Sequence, residues 1–325
     1  MVTVRMLALA LGLALLAVAV ACGGGGSSPA PPPEPTIVAG TPPPAGSGEP
    51  QGRIAFVSFR NGGKRDIYIV NADGSGLVNI SNSADTDDYD ADFSPDGSQI
   101  VFTSDREGSA NLYLMKADGT DVRRLTREMG GDISAKWSPD GKRIAFSRSG
   151  ALVVMSADGS DAVRLFEPEP EKTAALCRAG SFFGDWSPDG QRLVYYAASV
   201  SRGIAQVCTI KPDGSDIQVV VSDPPGMHVE PAWSPDGNYI LFRSIRSDQH
   251  EVYIVDLRTG GQFNVTNDPA LDVEPAWSPD GQWVVFASIR NDSDNFDIYI
   301  ARADGSDVRR LDDDPAKDSY PDWIP

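Results

Sequence analysis

Beyond residue 50 the chain is built of short apolar runs, each four or five residues long and each fenced by turn residues. One set reads "RIAFV" at 53–57, "QIVF" at 99–102, "RIAF" at 143–146, "RLVYY" at 192–196, "YILF" at 239–242 and "QWVVF" at 282–286. A second set, including "DIYIV" at 66–70 and "NLYLM" at 111–115, alternates with it. No stretch past residue 50 carries the 3.6-residue period of a helix, and runs of this length and composition predict strands. In the first set both faces are apolar, as in Ile54, Ala55, Phe56 and Val57. Such a strand belongs in a sheet covered on both sides.

The turns repeat as faithfully as the strands. "SPDG" stands at 94–97, 138–141, 187–190, 234–237 and 278–281, at spacings of 44, 49, 47 and 44, each time after Phe or Trp. Proline presets the first central φ of a turn and glycine accepts the left-handed conformation, so each SPDG joins two antiparallel strands and needs no chemistry to explain it. A second phrase, such as "KADGTD" at 116–121 or "RADGSD" at 302–307, closes another hairpin in each period. Four strands and two glycine turns per period of this length predict a β-propeller, all-β, with four-stranded antiparallel blades. The first strand set has six members, which predicts six blades. The first lacks an aromatic strand before it, whereas the closing "DSYPDWIP", 318–325, is an aromatic strand with nothing after it. The C-terminal strand is therefore expected to complete the first blade and close the ring, removing its open edges.

The aromatic–SPDG–"IAF"–"DIY"–"ADG"–"RRL" unit resembles the WD40-like repeat of TolB-type propellers, over residues 52–325. That resemblance implies a six-bladed scaffold and a partner that inserts an extended segment into its channel. The scaffold hosts many functions, among them the propeller of prolyl oligopeptidases. TolB-type proteins carry an α/β domain before the propeller and are not lipidated, and this chain is expected to depart from both features.

Residues 6–21 are an apolar run behind Arg5, which predicts a signal peptide over 1–21, and "AVAC" resembles a lipobox with Cys22 as the lipidated residue. The alternative is an ordinary signal peptide with an incidental cysteine. Residues 22–51, rich in Gly, Ser and Pro, are expected to form a disordered tether. Together these predict an exported domain anchored to a membrane by lipid, on its periplasmic or extracellular face. The net charge of −18 disfavours nucleic acid and favours basic peptides, basic protein faces or cations.

Candidate chemistry lies in the acids. Five residues before each blade aromatic stand Asp88, Asp132, Ser181, His228, Asp272 and Asp318, and three before it stand Asp90, Ser134, Phe183, Glu230, Glu274 and Tyr320. Strand alternation puts both columns on one face of the innermost strand, as a carboxylate ring at the channel mouth. The bland alternative pairs the acids with arginines that recur at the end of the next strand: Arg60, Arg106, Arg148, Arg246 and Arg290. The acidic loop holding Asp292, Asp294 and Asp297 would suit Ca²⁺, a hard cation, although it lacks the EF-hand glycine; no other cofactor is expected. No G-x-S-x-G elbow occurs and there are two histidines, so the expectation is a non-catalytic, monomeric binder of a protein or basic peptide. The alternative is an enzyme or sensor acting on a cell-surface polysaccharide or small ligand. Cys177 and Cys208 are the two cysteines besides Cys22, and in an exported chain they are expected to bridge, the alternative being two buried thiols.

Overall fold

The structure, a computed structural model, describes residues 38–44, 46–128, 130–167, 176–178, 180–199, 203–223, 226–246, 249–292 and 295–324. The expected signal peptide, Cys22 and Asp294 lie outside the described residues. Apart from one 3-10 turn, Leu176–Arg178, the regular elements among the described residues are strands.

Each SPDG is a hairpin turn held by its own side chains. Ser94 Oγ donates to Asp96 Oδ1 (2.6 Å) and accepts from the amide of Gln99 (3.0 Å), while Gly97 takes φ 68°. The same two bonds recur at Ser138, where Asp140 accepts and Arg143 donates. The strands so joined form antiparallel meanders. Among the described residues four sheets have four strands; a fifth, of eight, is two successive meanders joined through a parallel bridge, Ala205 to Met227. In the first meander the outer three strands are Arg53–Ser58, Asp66–Asn71 and Val78–Asn79, and the inner one is Asp318–Ile324 from the far end of the chain. Ile54 sits opposite Trp323, which is buried and donates its indole N–H to the carbonyl of Gln51 at 2.8 Å.

The innermost strands of the following meanders are Asp88–Phe93, Asp132–Trp137, Gly180–Trp186, Met227–Trp233 and Asp272–Trp277. Each touches the next, and Asp318–Ile324 touches both Asp272–Trp277 and Asp88–Phe93. The apolar core lies between meanders rather than within them. Ala55, Ile67 and Ile69 pack against Phe93, Ile100 and Phe102 of the second meander. Comparable clusters join each meander to its successor, and one joins Val285 and Ile300 of the last to Ile54 and Val70 of the first. Both faces of every sheet are thus consumed in packing, as the doubly apolar strands require.

Five of the inner strands share one kink: the ladder slips register near the position three residues before the aromatic, where Asp90, Ser134, Glu230, Glu274 and Tyr320 take φ between 51° and 55°. A non-glycine residue in this region is uncommon and marks a bulge, which turns one residue out of the ladder. In Gly180–Trp186 the slip falls between Phe183 and Asp185.

The stretch expected to be a tether differs from that expectation over its C-terminal part. Ala39 bridges in parallel to Gln262, with Gly40 N–H donating to Gln262 O (2.7 Å) and Gln262 N–H to Val38 O (2.8 Å). Pro43 and Pro50 are buried. Low apolar content does not prevent docking when the bonds are made by backbone.

Candidate functional site

The bulge separates the two acidic columns that strand alternation had put on one face. Asp88, Asp132, Asp272 and Asp318, five residues before the aromatic, are 0% exposed. Asp88 accepts from Arg106 (3.1 and 3.0 Å), Asp132 from Arg148 (2.6 and 2.8 Å), Asp272 from Arg290 (3.0 and 2.9 Å) and Asp318 from Arg60 (2.7 Å). The arginine in turn lies over the aromatic ring of its own meander, as Arg106 does over Tyr113 at 4.8 Å. This corrects the expected ligand ring for these four acids. A carboxylate without access to water needs a partner, and the recurring arginine supplies it.

His228 occupies the same column in the fifth meander and is also fully buried, edge-on to Phe242. The carboxylate there comes from a loop: Asp223 Oδ1 lies 2.5 Å from His228 Nε2, and its Oδ2 accepts from Arg246 at 2.8 Å. His228 and Arg246 together hold the Asp223 carboxyl below its ordinary range in spite of burial. His228 therefore also belongs to the packing, not to an open mouth.

The column three residues before the aromatic behaves differently. Asp90, Glu230, Glu274 and Tyr320 are half-buried, and the carboxylates of Asp90 and Glu230 lie close enough to add to the upward shift that burial gives Glu274 and Tyr320. Each carboxylate gives one oxygen to a backbone amide of the neighbouring inner strand. Asp90 accepts from Ser134 N–H (3.1 Å), Glu230 from Glu274 N–H (2.8 Å) and Glu274 from Tyr320 N–H (2.6 Å). These donors belong to the bulged residues, which the register slip has freed from the ladder. Glu230 also pairs with Arg243 at 2.9 Å. Among the described residues no cation lies within ion-pair distance of Asp90 or Glu274. Burial pushes Asp90 up, and burial with Glu230 pushes Glu274 to about 8.

One residue before the aromatic lies a second layer that the columns missed. Lys136 Nζ bridges Asp92 (3.1 Å) and Asp322 (2.9 Å), with Asp185 nearby. Burial raises Asp92 to about 8 and Asp185 to about 6. Despite burial, Asp322 and Asp92 hold the Lys136 pKa above its ordinary value. The acid just before the aromatic in "DF" and "DW" was the available signal.

Of the acidic-loop candidates, Asp297 is buried and pairs with Arg310 at 2.9 Å, and Asp292 stands at the end of its strand. Among the described residues no group of three His, Cys, Asp or Glu is arranged to hold a metal. Cys177 and Cys208 are joined by a disulfide, with Cα atoms 6.1 Å apart, inside the apolar cluster between the third and fourth meanders.

Four-stranded meanders packed face to face, with their inner strands in mutual contact, define a β-propeller. The chain belongs to the TolB beta propeller domain family, whose model matches residues 42–169 and 178–325. It is similar to a protein TolB homolog of Chlorobium luteolum, 29% identical over 165 residues, which is 50% of this chain and 35% of the relative. It is also similar to an uncharacterised peptidase, YuxL, of Bacillus subtilis, 29% identical over 182 residues, or 51% of this chain and 24% of the relative. Its matches thus span about a third or less of these curated relatives. Among solved structures, TolB from Acinetobacter baumannii superposes with a TM-score of 0.71 at 20% identity, covering 85% of this chain and 67% of that one, a likeness of fold.

Proposed function

We propose that this chain is a non-catalytic binding propeller that takes a basic peptide segment at its axis, through Asp90, Glu230 and Glu274. The scaffold is a six-bladed ring closed by Asp318–Ile324, exported and held to a membrane through lipid on Cys22. Support for closure comes from the apolar cluster between the last meander and the first. The observation that carries the binding role is the convergence of three carboxylates from three inner strands, of which, among the described residues, Glu230 alone pairs with a cation, Arg243. Burial raises the Asp90 and Glu274 carboxyls, and Glu230 adds to the shift of Glu274, so an incoming ammonium or guanidinium gains by holding them ionised. The chain's net charge of −18 would draw such a segment in.

Calorimetry with short Lys/Arg peptides tests this, with Ca²⁺ titrated in parallel. Glu230→Gln with Glu274→Gln should weaken peptide binding about tenfold, or ~1.4 kcal/mol. Affinity should also fall as salt screens the charges over ~8–10 Å. A wild-type protein that gives no heat with basic peptides at low salt would remove the binding role and leave the carboxylates as caps for the bulged amides.

A further inference from the structure

Residues 38–44 and 46–51 lie against three successive parts of the domain, and each contact reads a different feature of the segment. At the fifth meander, the outer strand Gln262–Asn264 offers its free edge, and Val38–Gly40 pairs with it at Gln262. The approach is close. A Cβ at Gly40 would stand 2.7 Å from the carbonyl carbon of Gly261 and 2.9 Å from the amide of Gln262, both backbone atoms that cannot step aside. At the sixth meander, Arg302 lies over the buried Trp283 ring at 4.3 Å and donates to two carbonyls, Gly46 O (2.5 Å) and Gly48 O (3.0 Å). Arg309, over the same ring at 5.2 Å, pairs with Glu49 at 2.9 Å. At the first meander, Trp323 donates to Gln51 O and Ala72 N–H to Gly52 O.

We infer that this rim is a peptide-binding surface, and that its occupant is the chain's own segment 38–51, docked in cis as an added strand and a strap. The surface selects an extended segment with glycine at the edge-pairing position, backbone carbonyls facing Arg302, and an acid facing Arg309. An edge strand presents unpaired N–H and C=O groups, and an extended peptide satisfies them with little demand on side-chain chemistry. A planar guanidinium fixed on an indole is pre-organised to bridge two carbonyls, a task that a lysine would do poorly. Gly40 and Gly46, which read as evidence for a loose tether, are what let the segment lie so near the rim.

The full-length protein tests this with one substitution. Gly40→Val places a side chain against the Gly261 backbone without touching the propeller core, so the strap should leave its edge while the domain stays folded. Amide hydrogen exchange across 38–51 should then rise at least tenfold in the variant. A labelled synthetic peptide of residues 38–51 should bind the variant at least tenfold more tightly than the wild type, whose site is filled. The same peptide with valine for its Gly40 should not bind. Equal exchange in the two proteins, or equal peptide binding by both, overturns the proposal. So does a wild-type dimer that Gly40→Val converts to monomer, because the strap would then come from a second copy.

Discussion

Glu274, on the inner strand Asp272–Trp277, carries a carboxyl pushed up to about 8 by burial and by Glu230. Asp92 reaches about 8 through burial, with Asp322 adding to it against the pull of Lys136, and burial takes Asp318 to about 7. All three shifts run the same way, so their linkage to stability has one sign. The folded protein holds these protons at pH values where the unfolded chain has released them. Their contribution to stability is therefore fully present below about pH 4, and it is lost as pH rises through 7 and 8. The melting temperature should fall between pH 5 and pH 8.5, by about 2–4 °C for each kcal/mol lost. Glu274→Gln should flatten that decline. A melting temperature that climbs over this range would show that these carboxyls ionise at ordinary values. At this scale the sequence was only half informative. Acids at regular intervals were visible, but burial was not, and a ladder slip at Asp90, Glu230 and Glu274 decides which column keeps its contact with the axis. Those left-handed positions fall on Asp, Ser, Glu and Tyr, so no glycine advertised them.

The fourth meander carries the disulfide, between Cys208 of the strand Ile204–Ile210 and Cys177 of the turn Leu176–Arg178. The turn is also held by Tyr195, whose hydroxyl donates to the carbonyl of Cys177 at 2.8 Å. The bridge closes a loop of 31 residues, which on the chain-entropy model is worth about 3–4 kcal/mol. Cys177→Ser with Cys208→Ser should lower stability by about that much in denaturant titration. Thiol counting under denaturing, non-reducing conditions should find neither cysteine free in the oxidised mature protein, and two labelled thiols there would contradict the bridge. Elements of this kind were well marked in the chain, because the side chains of each SPDG make the turn that their order predicts. The rim strap was not marked. Apart from the Glu49–Arg309 pair, its bonds are made by backbone, to Gln262 and Arg302 among others, and composition records side chains only.

At the scale of the whole molecule, the strand Asp318–Ile324 brings the chain's far end to Arg53–Ser58 and buries Trp323 among Ile54, Val70 and Val285. Deleting residues 318–325 would bare the inner edge of the first meander and empty the Trp323 site, and loss of a buried tryptophan alone costs about 3–5 kcal/mol. The truncated protein should aggregate or melt far below the full chain, as circular dichroism and light scattering would register. If it melts with the full chain, the last strand is dispensable and the closure scheme falls. The pairing itself was legible, since an aromatic strand without a successor and an apolar strand without a predecessor ask for each other. The meeting of acids and Lys136 at the axis was not, because it depends on residues from strands far apart in sequence that approach only once all the meanders are stacked.

The bulge shared by five of the inner strands has a consequence for how such a protein can change. Asp90, Ser134, Glu230, Glu274 and Tyr320 share one backbone posture and almost nothing else. The posture comes from the slipped ladder, so the side chain it carries is not conscripted into the core on either side. Each of these five meanders thus holds one position that can be rewritten without disturbing the hydrophobic seams behind it. An inherited scaffold of this design can exchange its inner lettering one blade at a time, and a lineage could retune what it recognises while every sheet goes on packing as before.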